Sequence, residues 1–301
     1  MLYGDLIKKV SEGDFRALAR CISIVENDLE GSQEILKNLH FNDSPVIGIT
    51  GPPGAGKSTL VNALISYYIK ENKKVGVIAI DPTSPFNFGS ILGDRIRMSE
   101  HFNNPNVYIR SLATRGSLGG LSAKTVEITD VMRSANFDII IVETVGVGQS
   151  EVEIVGLADT TVLVLVPEAG DEVQSIKSGI MEIADIFVVN KSDRPGADLY
   201  HKNLVQLIHE QPLKNWTAKA VKAIATKNEG LEDICTYINE HNKIAQNEKK
   251  PYLLTEKAYK LIQEYKMKNV NKHDLLSGIN ESLKQGHFNL YKFVEDYLLT
   301  K

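Results

Sequence analysis

Gly51-Pro52-Pro53-Gly54-Ala55-Gly56-Lys57-Ser58-Thr59 fits the pattern G-x-x-x-x-G-K-[ST], and few nonapeptides constrain a fold so tightly. Val46-Ile47-Gly48-Ile49-Thr50 before it reads as a buried strand, and Thr59-Leu60-Val61-Asn62-Ala63-Leu64-Ile65 after it reads as a helix. A loop of this kind bends sharply and turns backbone N–H groups onto phosphate oxygens, which Gly51, Gly54 and Gly56 permit because they lack a Cβ. The anion then meets a helix N-terminus. Lys57 is expected to reach the β- and γ-phosphates of a nucleotide, and Ser58 to place its hydroxyl on Mg²⁺.

From Val46 onward, short β-branched runs alternate with helical patterns, the mark of a mostly parallel sheet covered by helices on both faces. The runs predict strands at Val46–Thr50, Val75–Ile80, Val107–Arg110, Asp138–Glu143, Thr161–Val166, Ile186–Asn190 and Val221–Ala225. The fold class is therefore α/β, a P-loop nucleotide-hydrolase sheet at residues 45–245 with helical extensions at 1–44 and 246–301. Within the first extension, Asp14 and Ser32 are placed to cap the second and third helices. In the last, Ala258, Leu261, Ile262 and Tyr265 form one apolar stripe, and Leu275, Leu276, Ile279 and Leu283 a second. Leu290, Tyr291, Val294, Tyr297 and Leu298 form a third. These stripes need a surface to cover, either their own sheet domain or another subunit.

Ligands of open parallel sheets sit beyond the carboxyl ends of the strands, so the strand-end residues carry the functional reading. Asp81, in Asp81-Pro82-Thr83-Ser84-Pro85, can take a Mg²⁺-bound water or orient an attacking water, although an Asp that merely opens a Pro-rich turn looks the same. Asp94 opens a helix-start pattern, where an ordinary N-cap is the plainer reading. The glycine-rich stretch 115–121 suits a switch or a surface loop. Glu143-Thr144-Val145-Gly146 follows four apolar residues. In P-loop enzymes an acidic residue there supports Mg²⁺ or water, and the glycine N–H three residues on can contact the γ-phosphate. Glu stands where Asp is commoner, and its longer arm can act through water. Gln149 is given no catalytic role, since Val147 rather than Gln directly follows Gly146.

Asn190-Lys191-Ser192-Asp193 closes an apolar strand about 130 residues after the phosphate loop and reads N-K-x-D. Guanine presents N1–H and the 2-amino group as adjacent donors, and the Asp193 carboxylate accepts both; adenine, an acceptor at N1, is repelled. GTP and GDP are the expected nucleotides. Lys191's stem can lie over the base, while Asn190 is better suited to tie its loop to the phosphate loop. In Ile224-Ala225-Thr226-Lys227 a backbone N–H, of Ala225 or Thr226, is placed to bind guanine O6.

A 301-residue chain with 43% hydrophobic residues can bury a substantial core, and a net charge of −4 gives no global reason to expect nucleic-acid or anionic-membrane binding. Two separated cysteines, Cys21 and Cys235, fit a reducing compartment, no run approaches the length of a membrane span, and the N-terminus lacks a signal-peptide pattern. A cytoplasmic location is the expectation.

The chain resembles the MeaB/ArgK-type GTPases, also called methylmalonyl-CoA mutase-associated GTPases, over nearly its full length. The resemblance is carried by the phosphate loop, by Ala79-Ile80-Asp81-Pro82-Thr83-Ser84-Pro85, by Gly93-Asp94-Arg95-Ile96-Arg97-Met98 and by Glu143-Thr144-Val145-Gly146-Val147-Gly148-Gln149-Ser150-Glu151. Gly179-Ile180-Met181-Glu182-Ile183-Ala184-Asp185, leading into Asn190-Lys191-Ser192-Asp193, adds to it. The resemblance implies slow GTP hydrolysis and a C-terminal dimerisation arm, hence a homodimer. It implies as client an adenosylcobalamin-dependent acyl-CoA mutase that the GTPase loads with cofactor and protects. It also implies Mg²⁺ and hydrolysis roles for Asp81, Asp94 and Glu143. Gly170-Asp171-Glu172-Val173-Gln174-Ser175-Ile176-Lys177 matches the family's third switch, in which Lys177 answers the nucleotide state and the partner. The Ala225-Thr226 element departs from the family's usual Ser-Ala, and the C-terminal arm is the least similar part.

Two other functions compete. A nickel-insertion GTPase needs Cys/His clusters, and the seven His and two Cys show no ligand spacing. A transport-system kinase or ATPase needs a phosphoacceptor and a lid, against which N-K-x-D and the switch-like loops argue.

Overall fold

The computed structural model describes residues 2–81, 98–113, 123–144, 154–167, 184–210, 215–245, 250–284, 286 and 288–299. Its centre is a seven-stranded sheet of β1 (Val46–Thr50), β2 (Val75–Asp81), β3 (Val107–Ala113), β4 (Ile139–Glu143), β5 (Thr160–Leu165), β6 (Ile186–Val189) and β7 (Lys219–Lys222). The spatial order is β3-β2-β4-β1-β5-β6-β7, and every neighbouring pair is parallel. Every residue of β1, β4, β5 and β6 is buried, which is why these strands read as continuous apolar runs rather than alternating ones.

Helices cover both faces. On one, α4 (Lys57–Lys70) sets Leu60, Val61, Leu64 and Ile65 into a core with Ile47, Ile49, Ile139 and Ile141 of the central strands. On the other, α1 (Leu2–Ser11), α2 (Phe15–Glu26), α3 (Ser32–Lys37) and α5 (Ala123–Arg133) enclose a second core with Val46, Ile140 and Val142. Further along the sheet, α6 (Ala197–His209) packs Tyr200, Leu204 and Ile208 on β5 and β6. The chain then forms α7 (Leu231–Ala245), whose Ile234, Cys235 and Ile238 join the core of α4. Burial pushes the Cys21 thiol up to about 11 and that of Cys235 up to about 12, so both are inert apolar fillers.

Asp14 caps α2, its carboxylate accepting the Arg16 and Ala17 N–H groups at 2.8 and 3.1 Å. Ser32 does not cap α3: the cap is Gly31, at φ +90°, and Ser32 is the first helical residue. A Cβ on Gly31 would stand 2.1 Å from the Tyr3 ring, whose hydroxyl donates to Glu30 O, so packing against α1 sets this turn. The strand expected at Val221–Ala225 runs instead over β7, and Ala225–Lys227 is a short 3-10 helix closed by the Ile224–Glu229 bridge.

The chain divides into two compact units, Met1–Leu254 and Thr255–Lys301, so the N-terminal helices belong with the sheet. The division falls inside α8 (Lys250–Met267). The second unit continues through α9 (Lys272–Lys284) and α10 (Leu290–Leu299), where the Phe293 ring makes tilted contacts with Phe288 and Tyr297. Its Ile262, Tyr265, Tyr291 and Leu298 are exposed. Among the described residues no helix is long and apolar enough to cross a membrane.

Candidate nucleotide site

The phosphate loop leaves the central strand β1 between β4 and β5 and ends at the first turn of α4. Gly51 begins it at φ +138°, where a Cβ would lie 2.1 Å from the Val164 carbonyl oxygen of β5. The backbone passes that strand so closely that only glycine fits. Lys57, 7% exposed, folds back over the loop, donating from Nζ to the carbonyls of Gly51 at 2.8 Å and Pro52 at 3.0 Å. Pro53, Gly54 and Thr59 are exposed along its rim, while Ala55 is buried beneath it.

Ser58 and Glu143 are both buried, and Ser58 Oγ donates to Glu143 Oε1 at 2.7 Å. The register that pairs Ile49 of β1 with Glu143 of β4 brings these residues together, 85 positions apart in sequence. Two hard oxygens at a helix N-terminus suit Mg²⁺, whose ligands are oxygens and retained waters.

Asn190 joins three parts of the site. Its Nδ2 donates to Ala55 O at 2.9 Å, its Oδ1 accepts the Ala225 N–H at 3.2 Å, and a Cβ on Gly56 would stand 2.4 Å from that Nδ2. Lys191, at φ +56°, donates from Nζ to Gly54 O at 2.7 Å, so its stem runs along the phosphate loop. Asp193 is exposed in the turn before α6. Because Asn190 takes the Ala225 N–H, the donor left in this element is that of Thr226, which is exposed and makes no bond among the described residues. The Ala225 N–H is thus already engaged, and the Thr226 N–H is the one this element still offers.

Asp81 ends β2 beside Ala113 of β3, at the same carboxyl edge as Glu143. Its side chain, together with Asp94, Gly146 and Lys177, lies outside the described residues. One pair escaped the reading of strand ends: Thr144 Oγ1 donates to Thr50 Oγ1 at 2.9 Å, both side chains fully buried. A hydroxyl residue at the end of each of two apolar strands was the available signal.

A parallel sheet with a phosphate loop after its central strand, an acidic residue ending the next strand and N-K-x-D two strands away defines a P-loop nucleotide hydrolase of the guanine-nucleotide type. The chain belongs to the family described as methylmalonyl Co-A mutase-associated GTPase MeaB, whose model matches residues 18–279, and it is a GTP hydrolase. A protein of Pyrococcus abyssi is 47% identical over 290 residues, covering 94% of this chain and 88% of that protein. The GTPase ArgK of Escherichia coli is 34% identical over 243 residues, 76% of this chain and 73% of ArgK. Among solved structures, one titled LAO/AO transport system kinase superposes with a TM-score of 0.69 at 21% identity, covering 99% of this chain and 97% of that one, a likeness of fold.

Proposed function

We propose that this GTPase requires Mg²⁺ and acts as a chaperone for an adenosylcobalamin-dependent acyl-CoA mutase of the methylmalonyl-CoA type, gating the loading and protection of its cofactor. The observation that carries the reading is the match of residues 18–279 to a family described by its association with that mutase. Ser58 and Glu143 would hold Mg²⁺, directly or through water, and the ion supplies charge neutralisation at the phosphate oxygens. Lys57 holds the β- and γ-phosphates, Asp193 reads the guanine edge and the Thr226 N–H meets O6. Asp81, Asp94, Gly146 and Lys177 enter by resemblance, the first three around the Mg²⁺ and γ-phosphate and Lys177 as the residue that passes the nucleotide state to the client. A homodimer built on the second unit belongs to the same proposal, supported by the exposed Tyr265, Tyr291 and Leu298.

The test mixes the full-length protein with a purified methylmalonyl-CoA mutase. Nucleotide-dependent co-elution and faster GTP turnover in the mixture are expected, and the absence of both overturns the chaperone reading. Phosphate released without any acceptor should equal GTP consumed. A deficit balanced by a phosphorylated acceptor favours a kinase instead.

A further inference from the structure

Thr50 is the last residue of β1, directly before Gly51, and Thr144 directly follows Glu143. Besides the 2.9 Å hydroxyl bond between their side chains, the Thr144 N–H donates to Ile49 O at 3.0 Å. Side chains alternate across a sheet, so neighbours on one strand reach opposite faces. Ile47, Ile49, Ile139 and Ile141 lie in the core under α4, whereas Val46, Ile140 and Val142 lie in the core under α1, α2, α3 and α5. By that alternation Glu143 reaches Ser58 on the α4 face, and the two threonines meet on the other. The end of β4 is thus bonded on both faces of the sheet, to Ser58 of α4 on one and to Thr50 of β1 on the other, at the point where the phosphate loop begins.

We infer that Thr50 and Thr144 are positioning residues for GTP hydrolysis, whose hydroxyl bond sets the separation of the ends of β1 and β4 and so places Glu143 against Ser58. The inference rests on the proposed role of Glu143. Two methyl groups in place of the hydroxyls would meet at about 4 Å, an optimal carbon–carbon contact, instead of the 2.9 Å seen here. The Thr144 N–H bond to Ile49 O keeps the strands paired, so the longer contact is taken up as a tilt of the Glu143–Thr144 segment of up to about 1 Å, and a displacement of that size at a reacting centre can cost about 10²-fold in rate. The exchange also removes both buried polar atoms together, which leaves stability nearly unchanged. Placement and stability therefore separate in the paired variant.

The experiment compares wild type with T50V/T144V, T144V, T144S and E143A in full-length protein, following thermal unfolding, GDP affinity in EDTA, and kcat and KM for GTP with Mg²⁺. The paired variant should unfold near the wild-type temperature and bind GDP within about threefold of wild type, with kcat reduced about tenfold or more at unchanged KM. Rescue by T144S, which keeps the hydroxyl, should bring kcat to within about threefold of wild type, whereas T144V stays slow. A paired variant with wild-type kcat, or T144S as slow as T144V, overturns the inference. E143A distinguishes the two levels: wild-type turnover in E143A removes the role of Glu143 and the positioning inference with it. Slow turnover in E143A beside wild-type turnover in T50V/T144V removes the positioning inference alone.

Discussion

Replacing Asn190 with alanine deletes two bonds that converge on one side chain. Ala55 O loses its donor at 2.9 Å and the Ala225 N–H loses its acceptor at 3.2 Å. Asn190, Ala55 and Ala225 are 3%, 0% and 5% exposed, so neither backbone group turns to bulk solvent without a loop movement. A buried polar group left unpaired costs about 1–3 kcal/mol, so the two together cost about 2–6 kcal/mol. If both loops hold their places, the loss appears in the unfolding free energy. If they relax, it appears as weaker nucleotide binding, where 2 kcal/mol corresponds to roughly 30-fold. Urea unfolding of the nucleotide-free protein and GDP titration together capture both routes, and their summed loss should reach about 2 kcal/mol or more. Asn190→Asp separates the contributions, because it keeps an acceptor for Ala225 but sets a second oxygen against Ala55 O. It should be no better than alanine. An Asn190→Ala protein with stability within about 0.5 kcal/mol and GDP affinity within about threefold of wild type would refute the bridging argument.

Asp193→Asn should lose GTP affinity by up to about 10⁴-fold and come to prefer XTP, whose C2 carbonyl accepts the new amide N–H. Paired affinities on protein folded by circular dichroism test it, and an unchanged GTP affinity with no gain for XTP removes the base-reading role. Glu143→Ala should keep near-normal GDP affinity while hydrolysis falls about 10²-fold or more, the scale of losing a positioned water- or metal-orienting group. A GTPase rate within about threefold of wild type makes Glu143 structural. Gly51→Ala places a methyl 2.1 Å from Val164 O, against backbone that cannot swing away, so it should abolish GDP binding or yield unfolded protein. Isothermal titration showing wild-type GDP affinity would refute the requirement for glycine at position 51.

The parts legible in the sequence were those whose cause is local. Gly51 to Thr59 announces its loop because the bend, the lysine and the hydroxyl must follow one another along the chain, and the apolar runs announce strands because these are buried on both faces. Asp14 was legible as a cap for the same reason, since it bonds N–H groups two and three residues ahead. Ser32 misled because the choice between it and Gly31 is made by the Tyr3 ring, on a different helix. Strand order lay beyond the sequence too, and with it everything that depends on which strands are neighbours. The Ser58–Glu143 bond, the Thr50–Thr144 bond and the engagement of the Ala225 N–H by Asn190 join residues 85, 94 and 35 positions apart. Short motifs fix which groups a segment offers, but distances between segments are set by sheet register and core packing, which only the folded chain decides.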